Sequence, residues 1–245
     1  MRWSVLCSHV EHWRSTGLLY RPARQLLAEG VAALDALVDD PQPRLRWYRS
    51  TDAALVLGRG QHTDDFLAAE LPVVGRFSGG GAVLMDDGLL CLDVIVPTGH
   101  PLVAGELSAA FLRVGQAWAQ AMTALGVADI AVASSSSRVR RQGTDRERLL
   151  AAICYATLGT GEVTSGGRKI VGLAQRRRRH GALIQCGLLR RWQPEPLLRA
   201  LGAAADDRQI LTAAAGIDQL LEIPPADDGV MTAVQDALDG VLARL

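Results

Sequence analysis

Residues 89–97, LLCLDVIVP, are apolar apart from Asp93 and end on Pro97. A strand with one face in water alternates apolar and polar side chains. A run without that alternation suits a strand buried on both faces. Whatever else the chain does, it must place material on either side of this segment.

The flanking sequence supplies candidates. Residues 20–38 (YRPARQLLAEGVAALDALV) carry apolar positions at helical spacing, and 104–125 is the clearest helical stretch, closed by Gly126. RLRWYRS (44–50), AALVLGR (53–59) and ADIAVA (128–133) read as short strands. RLLAAICYATLG (148–159), GEVTSGGRKIVGLAQ (161–175) and GALIQCGLL (181–189) read as strands around a Gly-Gly turn, and 195–201 and 229–245 as tail helices. Residues 134–148 are polar and biased, which predicts an exposed loop. Strands and helices mix without regular βαβ alternation, predicting an α+β fold rather than a doubly wound one. No linker divides residues 1–245, so one domain is expected.

The formal net charge is zero, which argues against a partner bound over the whole surface, such as nucleic acid or an anionic membrane. No run of 18 apolar residues is present, and the first 17 carry His, Glu and Arg where a signal peptide needs an apolar block. A cytoplasmic location is expected. Cys7, Cys91, Cys154 and Cys186 form no CxxC pair, so each is a small buried hydrophobe unless its surroundings activate it.

Lys169 is the only lysine among 26 basic residues. In a chain this committed to arginine, a retained lysine is a candidate for a position needing a compact ammonium rather than a planar fork. It follows a Gly-Gly turn that aims it from the next strand, where Gly172 and Ala174 leave one face small enough for a ligand. A second motif, RFSGGGAV (76–83), places three glycines after a strand. Such a run either makes a tight hairpin or exposes N–H groups that cradle a carboxylate or phosphate, with Arg76 adding positive charge.

Together, LRWYR (45–49), ALVLGR (54–59), GRFSGGGAV (75–83), CY (154–155), GRKIVGLAQRR (167–177) and GALIQCG (181–187) resemble, in order, the blocks of the lipoate–protein ligase and octanoyltransferase branch of the biotin/lipoate protein ligase superfamily. The resemblance is strongest over residues 17–200. It implies a class II synthetase-like fold, a mixed central sheet flanked by helices. It also implies an activity that puts an octanoyl or lipoyl group on the lysine of a lipoyl carrier domain, of the 2-oxoacid dehydrogenase E2 or glycine cleavage H-type kind. Lys169 then faces the acyl carbonyl, and Arg76, Ser78, Gly79, Gly80, Gly81 and Ala82 hold the acyl head, with Gly172 and Ala174 beside it. In a transferase Cys154 is the nucleophile, acyl carrier protein is the donor and no cofactor is needed. In a ligase, ATP and Mg²⁺ make an acyl-adenylate instead. No protein-bound metal site is implied.

Three positions depart from the family pattern: Met85 and Cys186 stand where histidines are usual, and Gly75-Arg76 replaces a pair of arginines. Cys186 is an alternative nucleophile, and the lost histidines raise the reading of a non-catalytic acyl-binding relative. Arg176–Arg179 is a solvated face or a dock for an acidic carrier. Cys7, His9 and His12 lack a fourth metal ligand, and Asp86 and Asp87 shape a turn.

Overall fold

A computed structural model describes residues 13–66, 70–136, 144–204 and 207–245. Cys7, His9 and His12 lie outside the described residues, as does most of the arginine-rich run before Thr144. In chain order the elements are β1 (Arg14–Ser15), β2 (Leu19–Arg21), α1 (Ala23–Asp35), β3 (Arg44–Ser50), β4 (Ala54–Leu57), β5 (Val73–Gly75), β6 (Val83–Met85), β7 (Leu89–Pro97), α2 (Leu107–Ala124), β8 (Ile130–Val132), α3 (Asp145–Ala152), β9 (Val163–Ser165), β10 (Arg168–Arg178), β11 (Gly181–Leu189), α4 (Glu195–Ala200), α5 (Arg208–Leu211) and α6 (Asp227–Leu242).

Among the described residues, eight strands form one mixed sheet in the order β1-β3-β7-β11-β10-β9-β8, with β2 also pairing with β3. β1 and β2 run parallel to β3 and the other pairs are antiparallel. A smaller sheet, β5-β4-β6, stands apart from it. β7 is buried from Leu89 to Val96. Leu90, Leu92, Val94 and Val96 join a cluster with Trp118 of α2 and Val234 of α6. Leu89 and Cys91 point the other way, toward Leu27 of α1 and Val56 of the small sheet. Helices thus flank the sheet, as the unbroken apolar strand requires. Burying one such side chain on each face contributes about 1.5–3 kcal/mol.

Two expected elements differ. α1 begins at Ala23, not Tyr20, because the residue before Pro22 is pushed to extended backbone, and Tyr20 and Arg21 pair with β3 instead. The strand expected over 148–159 is α3 followed by a single 3₁₀ turn at Cys154–Ala156. Thr144 and Glu147 form a reciprocal capping box there, and this start signal outweighs the apolar run behind it. No helix of the described residues is long and apolar enough to cross a membrane.

Candidate active site

Cys154 sits where α3 gives way to the 3₁₀ turn. Ile153 is extended and pairs in parallel with Ala82 of the glycine loop. Ala82 N–H donates to Ala152 O at 2.7 Å and Cys154 N–H to Ala82 O at 3.0 Å. A Cβ on Gly81 would lie 2.7 Å from Cys154 N, so only glycine lets the loop come this close. The two motifs that read separately in the sequence are therefore clipped together by main-chain bonds.

Lys169 enters from the far side. Gly166 and Gly167, at φ +54 and +78, turn the chain from β9 into β10. Lys169 follows, 1% exposed, beside a register shift in the ladder. Its Nζ lies 2.6 Å from Glu162 Oε2 and donates to Cys154 O at 2.8 Å and Thr157 O at 3.2 Å. Cys154 Sγ is 3.7 Å away. The Tyr155 ring lies beneath the ammonium, 5.1 Å to its centroid. A buried ammonium needs a counter-charge and partners for its three donors, and it has them in Glu162 and two carbonyls.

Tyr155 holds the turn from below. Gly172 and Gly187 are directly opposite one another in β10 and β11. The phenol lies across this pair and donates to Gly187 O at 2.7 Å. A Cβ at Gly187 would meet the phenol oxygen at 2.7 Å, and one at Gly172 would meet it at 3.3 Å. The small face expected to receive a ligand at Gly172 is thus filled in part by Tyr155. Burial, with Cys154 nearby, pushes the phenol pKa up, which keeps it a neutral donor.

Arg76 is buried, and its guanidinium is spent on the loop it precedes. It donates to Gly79 O at 2.8 Å, Gly81 O at 2.7 Å and Val56 O at 3.0 Å. Gly80, at φ +97, turns between those carbonyls. Arg76 thus braces the glycine loop. Ser78 Oγ donates to Gln185 Oε1 at 2.7 Å. Gln185 pairs across the ladder with Asp93. Asp93 also takes Arg46 at 2.5 Å and the Tyr48 hydroxyl at 3.0 Å. Burial pushes its pKa up to about 6 against the opposing pull of Arg46 and these hydrogen bonds.

Between these groups lies a cavity of about 60 Å³, partly open to solvent. Leu27, Val56, Val83, Met85 and Leu89 give it apolar walls; Arg76, Cys154, Gly172, Ala174 and Gln185 also border it. Among the expected residues, Arg76, Cys154, Gly172 and Ala174 border it, while Lys169, Gly81 and Ala82 contact Cys154 without lining the cavity. Gly79 and Gly80 lie at the surface, and Ser78 is turned inward to Gln185. Cys186 borders the cavity, but it packs in the cluster under α2, close to Trp118. Burial pushes its thiol up to about 12, which leaves it a hydrophobe at neutral pH. Met85 is a buried wall residue. Asp86 Oδ1 accepts from Gly88 N–H at 2.8 Å, as a turn former does. Arg177 donates to Gly105 O and Arg178 lies 3.6 Å from Asp35, so part of the basic run serves the fold.

Glu162, Tyr155, Gln185 and Asp93 were not singled out by sequence. One signal was available for Glu162: a buried lysine demands an anion. Among the described residues no group of three or more His, Cys, Asp or Glu side chains is placed to hold a metal ion.

The chain is similar to known proteins. The chain is 33% identical over 187 residues to the octanoyltransferase LipM of Moorella thermoacetica, covering 71% of this chain and 65% of that protein. It is 30% identical over 174 residues to the LipM of Carboxydothermus hydrogenoformans, covering 64% and 60%. The chain thus spans a little under two thirds of these relatives. Among solved structures, a lipoate-protein ligase A bound with ATP superposes with TM-score 0.68 at 19% identity, covering 94% of this chain and 85% of that one. A putative lipoate protein ligase from T. acidophilum with bound lipoic acid gives 0.67 at 19%, covering 94% and 86%. At that identity the likeness establishes the fold: a mixed sheet between helices, of the lipoate/biotin ligase type. Residues 24–238, which hold the glycine loop, Cys154, Lys169 and the cavity walls, match the lipoyl protein ligase A/B catalytic domain, and the chain belongs to that family.

Proposed function

We propose that this protein is an acyltransferase that moves an octanoyl or lipoyl group from acyl carrier protein to a lysine of a lipoyl carrier domain, through a thioester on Cys154. The observation that carries this reading is the Cys154 thiol 3.7 Å from the Lys169 ammonium, at the edge of an apolar cavity. The identity to octanoyltransferases named LipM supports it.

The chemistry follows from the groups present. An adjacent ammonium stabilises the Cys154 thiolate. The thiolate attacks the donor thioester; the new C–S bond forms as the old one breaks, and the departing thiolate takes a proton. The acyl tail lies along Val56, Val83, Met85 and Leu89. Charge growing on the carbonyl oxygen is met by donors at the glycine loop and by Lys169, which gives up one of its two backbone carbonyls as it does so. The carrier amine, as free base, then attacks the Cys154 thioester; the amide forms as the C–S bond breaks, and the proton lost by the amine returns the Cys154 thiolate to the thiol. Arg76 and Ser78 act by shaping the loop.

The test is intact mass after incubation with octanoyl-acyl carrier protein and an apo lipoyl domain. The expected result is an octanoyl adduct on the enzyme, absent in Cys154→Ala, followed by one on the carrier. Transfer that requires ATP and Mg²⁺, or that survives Cys154→Ala, overturns the thioester route. Octanoate binding with no transfer favours a non-catalytic acyl-binding protein.

A further inference from the structure

We infer that Glu162 is a positioning residue: its carboxylate holds the Lys169 ammonium against Cys154, so that the thiol is activated only while Glu162 is charged and in place. The inference rests on the transferase reading and deepens it.

Glu162 is 4% exposed, and its two oxygens are fully committed. Oε2 accepts from Gly159 N–H at 2.6 Å and lies 2.6 Å from Lys169 Nζ. Oε1 accepts from Leu173 N–H at 3.2 Å. The carboxylate therefore ties the loop before β9 to the middle of β10 and presents one oxygen to the ammonium. The loop itself cannot drift. Gly161, at φ +84, packs so tightly on α2 that a Cβ there would strike Phe111 O, and a Cβ on Gly115 would strike Gly161 O. The other groups around the ammonium are two backbone carbonyls, the Tyr155 ring and Cys154. A cation in so dry a place persists only beside an anion, and among the described residues Glu162 is the anion paired with it.

A purely structural role and a positioning role predict opposite signs in one measurement. Loosening the site exposes the thiol and speeds its alkylation; losing the ammonium slows it. The experiment measures iodoacetamide labelling of the Cys154 peptide by mass at fixed pH, on the full chain, with thermal unfolding to verify the fold. Glu162→Gln is expected to label about tenfold more slowly, with kcat for octanoyl transfer reduced and KM for the acyl donor within about twofold. Glu162→Asp keeps the charge and is expected to recover at least half of the lost labelling rate. Should Glu162→Gln fail to fold, Glu162→Asp against Glu162→Ala carries the same comparison. Labelling that is unchanged or faster in Glu162→Gln or Glu162→Ala overturns the inference. Labelling needs no acyl donor, so a failure of the transferase reading shows as a missing acyl-enzyme while the labelling result stands or falls independently.

Discussion

Gly187→Ala is the sharpest probe of how Cys154 is held. The new methyl would meet the Tyr155 phenol oxygen at 2.7 Å and Leu89 Cδ1 at 3.2 Å. The leucine methyl can give a few tenths of an ångström; the phenol cannot, because it lies against Gly172 and the Trp192 ring, 5.7 Å between centroids. Overpacking of this kind costs about 1–3 kcal/mol, and displacing the hydroxyl from Gly187 O loses about 1 kcal/mol more. Replacing glycine in a strand returns about 0.5–1 kcal/mol. The net expectation is a loss of about 1–3 kcal/mol in urea unfolding. Octanoyl transfer should fall by up to about 100-fold, because the ring that moves belongs to the residue next to Cys154 in the same turn. Tyr155→Phe removes the clashing atom itself. In the double variant Leu89 becomes the nearest neighbour, so its destabilisation should fall short of the sum of the singles by about 1 kcal/mol or more. Additivity within about 0.3 kcal/mol, or a Gly187→Ala protein indistinguishable from wild type, would refute the wedge.

Arg76→Lys keeps the charge but cannot reach Val56, Gly79 and Gly81 carbonyls at once; hydrogen exchange at Gly79–Ala82 should quicken and stability should drop by about 1–3 kcal/mol in urea unfolding. Lys169→Arg puts a wider fork between Glu162 and two carbonyls already at hydrogen-bond distance; octanoyl transfer measured by intact mass should fall at least about tenfold, and full activity would show that any cation suffices. Asp93 has a folded pKa of about 6, above the roughly 3.9 of an unfolded aspartate. Its contribution is therefore present in full below pH ~4 and lost as pH rises through 6. Between pH 5 and 7.5 the wild type should lose about 1 kcal/mol relative to Asp93→Asn, read from urea unfolding at the two values; a gap that widens in favour of wild type contradicts the assignment.

How much of this was legible beforehand depends on whether the decisive signal is local. Unbroken apolarity over 89–97 and helical spacing in α2 are local, and both placed correctly the layers that enclose the site. The α3 segment failed because AAIC suits a strand as well as a helix, and the capping residues were read as loop. At the site, Lys169 stood out by being alone, and the glycines by being consecutive. Glu162 and Gln185 are ordinary letters in ordinary runs. Their meaning arises only when β9, β10 and β11 are in register, because each acts on a partner in another strand or loop. Arg76 was legible as a candidate but not in its structural role: only the folded loop shows its donors turned onto carbonyls.

The interlock of Gly115 with Gly161 has a consequence for heat. Because the loop bearing Glu162 is seated on the main chain of α2, it has no private route to melting. Catalytic competence and global structure should vanish at a single temperature, with no warm interval in which a folded but inert protein accumulates.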